Sequence, residues 1–195
     1  MHHLSEFGGV DGEHRHSCCA LGLHDGVAAS VEGHRRSAGA IVPFHNWDYY
    51  YITQNLTWDP DTADKENYES VTAPRYFVTD LASIPEPFWS ALPPTGPYSY
   101  PAIIHDWMYW TQPHARSGDD DRAYADGVLK LAMAELKVPA LKAVAIYEAV
   151  RAFGAGAWAG NADARGGGEK RVLKRVPTDA RTTWAEWKQN LDNFA

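Results

Sequence analysis

His105 and Asp106 stand together in Ala102–Trp110 (AIIHDWMYW), and Tyr109 follows His105 by four residues. In a helix that spacing stacks His105 and Tyr109 on one face, with Asp106 about 100° around the axis. Ile103, Ile104, Trp107 and Met108 surround them, so a helix of this sequence is expected to be largely buried. A His and an Asp inside a core need partners, because an unpaired buried polar group costs about 1–3 kcal/mol. Arg122 and Asp126 are again four apart and offer a second polar face. If the two helices pack antiparallel, Asp126 can accept a hydrogen bond from His105, and Asp106 can meet Arg122.

Three chemistries fit these residues. His105 can be a general base whose tautomer and basicity are set by Asp126. Alternatively His105 and Asp106, with Asp80, Asp126 or His45, can ligate one divalent cation, calcium or zinc, that activates water. Or the groups can form a satisfied polar network that only locks two helices together. The loop Phe77–Pro85 (FVTDLASIP) leads into the His-Asp helix. Asp80 and Ser83 can close a turn on their own backbone there. They are expected at the rim of a cleft, with Tyr98 and Arg122 supporting it and Asp126 behind.

The elements that position these groups follow from pattern. Trp47–Trp58 (WDYYYITQNLTW) is dense in aromatic and β-branched residues and reads as one strand or two. Asp59–Lys65 (DPDTADK) is a turn or loop. Tyr68–Asp80 reads as a second strand region broken at Pro74. From Leu81 to Pro101 six prolines make a stiff extended loop. Three helices are expected next. The first is capped by Ser99 and runs to about Trp110. The second opens on Asp119, Asp120 and Asp121 and runs to about Lys137, with Ala125, Leu129, Ala132, Met133 and Leu136 as its apolar stripe. The third starts at Pro139 and ends near Gly154. Arg165–Gly168 (RGGG) reads as a linker. Thr183 and Glu186 form a possible capping box for a last helix, whose Trp184, Trp187, Leu191 and Phe194 recur at helical spacing. That aromatic face either docks back on the domain or binds a partner, a phage or host protein.

The chain has 195 residues and a net charge of −7, with 45% hydrophobic and 12% aromatic residues. This is globular composition. No apolar run reaches the roughly 20 residues of a membrane helix, and net acidity argues against a general nucleic-acid binder. The acidity is local: residues 43–164 carry sixteen acidic and eight basic side chains. The basic stretch Lys170–Arg175 (KRVLKR) could touch anionic lipid or nucleic acid, and is more simply a solvated linker. Seven of nine histidines fall at or before His45, beside Cys18 and Cys19. Adjacent cysteines neither staple distant segments nor match zinc spacing. Residues 1–42 therefore read as a flexible leader, 43–160 as the domain, 161–181 as a basic Gly-rich linker and 182–195 as an amphipathic helix.

Several stretches together resemble an uncharacterised family, a domain of unknown function found mainly in bacteriophages and prophages. They are FVTDLASIP, Tyr98–Tyr109 (YSYPAIIHDWMY), Arg122-x-x-Ala125-Asp126, Met133 and Tyr147–Gly154 (YEAVRAFG). The family pattern runs roughly V-P-x-G-F-x-T-D-x-A-S-I-P, H-D-x-L-Y, R-x-x-A-D-x-x-F and M-Y-x-A-V-R-x-F-G. Here Ala73-Pro74-Arg75-Tyr76 replaces V-P-x-G, and Leu129 stands where Phe is usual. The resemblance covers about residues 43–158 and implies a small α+β domain of phage or prophage origin, in the bacterial host cytoplasm or on the virion. His105-Asp106-x-x-Tyr109 is also similar to the H-D-x-x-Y helix of secreted phospholipases A2. In that family the His is a general base, the next Asp binds calcium, and the Tyr helps orient an Asp on an adjacent antiparallel helix. The likeness implies those roles for His105, Asp106, Tyr109 and Asp126, while the disulfides and Gly-rich calcium loop are missing. The order His45, His105, Asp106, Asp126 also resembles HD-type phosphohydrolases, which are all-helical.

The expectation is an α+β fold: a small antiparallel sheet, a three-helix cluster and a C-terminal amphipathic helix. On it, His105, Asp126 and Tyr109 are the candidate catalytic residues, and Asp106 and Asp80 the cation ligands. The expected activity is hydrolysis of an ester or phospholipid. The alternatives are a phage structural or lysis-associated protein and a metal-dependent phosphohydrolase.

Overall fold

The structure, a computed structural model, describes residues 41–81, 98–113 and 118–195, with the backbone alone for 118–120. Ser83, most of the proline-rich loop, and the leader up to residue 40 lie outside the described residues.

Among the described residues five short strands precede the helices, an α+β arrangement: β1 (Ile41–Pro43), β2 (Tyr50–Ile52), β3 (Leu56–Trp58), β4 (Val71–Ala73) and β5 (Val78–Thr79). β2 is the centre of a three-stranded antiparallel sheet, paired with β1 (Ile41↔Ile52) and β5 (Tyr50↔Thr79). β3 and β4 pair antiparallel by themselves (Leu56↔Ala73). The aromatic stretch is thus two strands, and Pro74 breaks the second region as expected: Phe77 N–H turns back to the Pro74 carbonyl at 3.0 Å. The ordered sheet starts at Ile41, inside the expected leader, because Ile41 and Val42 pair with β2.

β2 is buried on every residue. A strand covered on both faces loses the alternation of a half-exposed one. Ile52 faces the main core, built from Leu56, Trp58, Phe77 and the inner faces of the helices. Tyr51 joins a second cluster with Phe44, Val78, Leu173, Trp184 and Phe194.

Helix α1 (Ser99–Thr111) begins one residue before the expected cap does its work: Tyr98 is the N-cap, and no side chain caps. Pro101 sits in the first turn, where a missing N–H costs nothing. The helix stops at Gln112, which takes a left-handed φ of 48° and returns its N–H to the Met108 carbonyl at 2.8 Å. Helix α2 (Gly118–Glu135) folds back against α1, and Tyr100 at the start of α1 lies near Glu135 at the end of α2. Its end falls two residues short of the expected Lys137, which is left-handed at φ 55°.

Helix α3 (Ala140–Gly166) departs most from expectation, running twelve residues past Gly154. Gly154 is not a stop but a contact: a Cβ there would lie 2.5 Å from the Tyr109 hydroxyl. The Ala-rich continuation favours helix. Gly167 and Gly168 (φ 89°) end it, with Gly167 N–H bonded to the Asp163 carbonyl at 2.8 Å.

The expected linker is tied down. Val78 N–H bonds the Arg171 carbonyl (2.7 Å), and Leu173 N–H bonds that of Tyr76 (3.0 Å). Leu173 also bridges Phe194. The capping box forms, but the helix it opens, α4 (Trp184–Trp187), is one turn long and is followed by a 3-10 turn at Leu191–Asn193. Its aromatic face docks back on the domain: Trp184 packs on Phe44 (5.4 Å) and Phe194 (5.8 Å).

Candidate functional site

Asp126, fully buried on α2, is the hub. Its Oδ1 accepts from His105 Nε2 (2.9 Å) and from the Tyr109 hydroxyl (2.7 Å), both on one face of α1. Its Oδ2 accepts from Arg151 Nη1 on α3 (2.7 Å) and from Arg122 Nη1 one turn back on α2 (3.4 Å). A carboxylate offers about four acceptor sites, and all are taken. Three helices therefore meet on one side chain.

The carboxylate only accepts, so the His105 proton belongs on Nε2, and Nδ1 presents its lone pair. Nδ1 has no hydrogen-bond partner among the described residues. It lies 3.9 Å from Asp106 Oδ1, beyond hydrogen-bond reach. Burial opposes a charge on His105, but the Asp106 and Asp126 carboxylates outweigh it and raise its pKa above the ordinary 6.5. For Asp126 burial favours the neutral acid, and the hydrogen bonds from His105, Arg151 and Tyr109 overcome it, lowering its pKa below the ordinary 3.8.

Asp106 does not meet Arg122 as expected. The 100° offset that separates it from His105 turns it toward β5 instead. The Thr79 hydroxyl donates to its Oδ2, and so does Leu81 N–H at 3.2 Å. Leu81 is left-handed (φ 53°), a strained setting for a branched residue. Arg122 uses its second bond on the Arg151 carbonyl (3.2 Å), binding α2 to α3.

His105 lines a cavity of about 10 Å³ with Leu81, Tyr98, Ala102, Leu129, Met133, Ile146 and Val150. Tyr98, expected to support a cleft, lines this small cavity beside His105. His45 lines a different space, a cavity of about 360 Å³ beside residues 177–182. The His45, His105, Asp106, Asp126 order is therefore not one site, and the strands depart from an all-helical fold. Asp80 is partly buried near Tyr49, whose hydroxyl pKa is raised first by burial and then by Asp80. Among the described residues no three His, Cys, Asp or Glu side chains converge to hold a metal ion.

Arg151, Thr79 and Gly154 were not singled out from the sequence. Arg151 and Gly154 belong to the YEAVRAFG stretch, so their membership of a shared pattern was the available signal. Thr79 belongs to FVTDLASIP in the same way, as the Thr of its Thr-Asp pair.

Residues 54–150 match a family described as protein of unknown function (DUF1353). The matched segment spans β3 to the middle of α3 and contains His105, Tyr109, Arg122 and Asp126, with Arg151 one residue beyond its end. No curated protein and no solved structure matches the chain. Among the described residues no helix is long and apolar enough to cross a membrane.

Proposed function

We propose that the protein is an ester hydrolase in which His105 is the general base and Asp126 its orienting carboxylate. One observation carries the reading: His105 Nε2 is committed to Asp126, while Nδ1 has no hydrogen-bond partner among the described residues and lines a cavity. A histidine whose role is only to brace two helices gains nothing from an unsatisfied buried nitrogen, which costs free energy. A base needs that lone pair. Tyr109, Arg151 and Arg122 hold Asp126 in turn, as second supports of a base do. The H-D-x-x-Y likeness makes a carboxylic ester, and a phospholipid in particular, the proposed substrate class. The phage or prophage setting belongs to the same proposal.

No step is routed through a cation. Asp106 already accepts from Thr79 and Leu81, whereas calcium takes six to eight oxygens. Addition of calcium or zinc to the hydrolysis assay tests that point directly.

A second reading, a purely structural network, is favoured by the complete burial of His105. His105→Ala separates the two. Activity is measured on p-nitrophenyl acetate and on phosphatidylglycerol vesicles. The hydrolase reading expects a fall of about 10²–10⁴-fold with the fold intact by circular dichroism. An inactive wild type, destabilised by the same substitution, would establish the brace.

A further inference from the structure

Val42 and Trp47 are large apolar residues that the fold leaves exposed, and both line the cavity of about 360 Å³ that holds His45. That volume falls in the range of small-molecule sites, roughly 300–1,000 Å³. Phe44 and Tyr51, buried in the aromatic cluster, also line it, and His45, Thr178 and Thr182 bring polar groups to the wall. His105 takes no part. The wall comes from residues 42–51 and 177–182, on either side of the family segment 54–150. Trp47 is 65% exposed and left-handed at φ 58°. That backbone favours glycine, and a bulky residue there is strained. Two hydrogen bonds hold the turn: Trp47 N–H to the Phe44 carbonyl (3.0 Å), and the Tyr50 hydroxyl to the Trp47 carbonyl (3.1 Å). Folding thus carries two costs at one residue, a strained backbone and a wet indole, and a ligand stacked on the indole accounts for both.

The wall narrows the ligand. Among the described residues no Lys or Arg lines the cavity. Asp179 does, but its carboxylate is closed on Arg181, accepting from the backbone N–H (2.9 Å), Nε (3.1 Å) and Nη2 (2.8 Å). An anion therefore finds no counter-charge, and a cation meets a carboxylate already neutralised. Proline-rich peptides dock in grooves lined by aromatic rings, whereas Trp47 is the one exposed aromatic among the described lining residues. A single exposed ring suits a single flat ligand. A pyranose has a C–H face that lies on the negative face of an indole. Its ring hydroxyls both donate and accept at the edge, as threonine hydroxyls and an imidazole do. We propose that this cavity binds a neutral pyranose sugar, stacked on Trp47 and hydrogen-bonded by Thr178, Thr182 and His45.

Glucose, galactose, mannose and N-acetylglucosamine, each titrated to tens of millimolar into the whole folded protein, test the site by magnetic resonance. At least one is expected to shift the Trp47 indole N–H and the backbone resonances of residues 45 and 178–182, leaving His105 in place. Trp47→Gly is expected to abolish those shifts while melting no lower than the wild type, because glycine relieves the left-handed backbone. Thr182→Val, which keeps the branched shape and removes the hydroxyl, is expected to weaken binding by up to about tenfold. Cellobiose and chitobiose distinguish two sources of the same chemistry. A dimer that binds about tenfold tighter than its monosaccharide marks a glycan chain, and equal affinity marks a free sugar. No shift at Trp47 with any of the four sugars overturns the proposal, and so does sugar binding that survives Trp47→Gly.

Discussion

Asp126 is the residue on which the network turns, and its hydrogen bonds set the charge of His105. The His105 pKa is raised, so the stability it contributes is full below pH 6.5 and is lost as pH rises through its folded value. Asp126 is lowered, so its contribution is present above pH 3.8 and is lost as pH falls through its own folded value. Hydrolysis has the opposite sign to the His105 stability term, because only the neutral imidazole is a base. The rate is expected to climb through a limb lying above 6.5. Asp126→Asn removes a carboxylate from beside the ring, so the His105 pKa is expected to fall. A pH–rate profile should then show the limb displaced to lower pH, with kcat reduced at least about 10²-fold through loss of the fixed tautomer. A limb that does not move would deny Asp126 its orienting role. Asp126→Ala, which strands two guanidinium groups, is expected to cost about 3–5 kcal/mol in denaturant melts.

At the scale of elements, α1, α2 and α3 are held in register by close approaches as much as by hydrogen bonds. The Tyr109 hydroxyl reaches Asp126 only because residue 154 carries no Cβ. Gly154→Ala is expected to displace Tyr109 and cost about 1–3 kcal/mol by overpacking, despite the better helix propensity of Ala. Tyr109→Phe removes the colliding oxygen, so the double variant should be more stable than the sum of the two single losses. Denaturant melts of the four proteins measure that coupling. Additive losses would mean that Gly154 does not act through Tyr109. The start of α3 was legible at Pro139, but its end was not, since a glycine that ends a helix and one that admits a neighbour read alike in one dimension.

At the scale of the whole molecule, two apolar clusters among the described residues share the sheet. The helix cluster carries the Asp126 network, and the aromatic cluster locks the C-terminal segment onto β2, β5 and Phe44, which follows β1. Trp184 is nearly fully buried in the second. Trp184→Ala is expected to cost about 3–5 kcal/mol. Its effect on hydrogen exchange should concentrate in β1, β2 and residues 171–195, leaving the His105 resonances in place. Loss of the His105 environment in that variant would show the two clusters to be one cooperative unit.

The sequence by itself determined the class of fold and the three helices, and it placed His105 with Tyr109 on one helix face and Arg122 with Asp126 on another. Those facts rest on local periodicity and on four-residue spacing, which a chain carries in its own order. It also carried the capping box at Thr183 and the break at Pro74. The tertiary structure decided what periodicity cannot encode. Arg151 lies twenty-five residues beyond Asp126 and reaches it only because α3 packs across both earlier helices. Asp106 turns to Thr79 and Leu81 because the end of β5 is the polar neighbour on its side of α1. The apparent linker becomes a paired edge because β5 has unpaired backbone groups to offer. A buried group takes the partner that packing brings nearest, and packing depends on the whole chain.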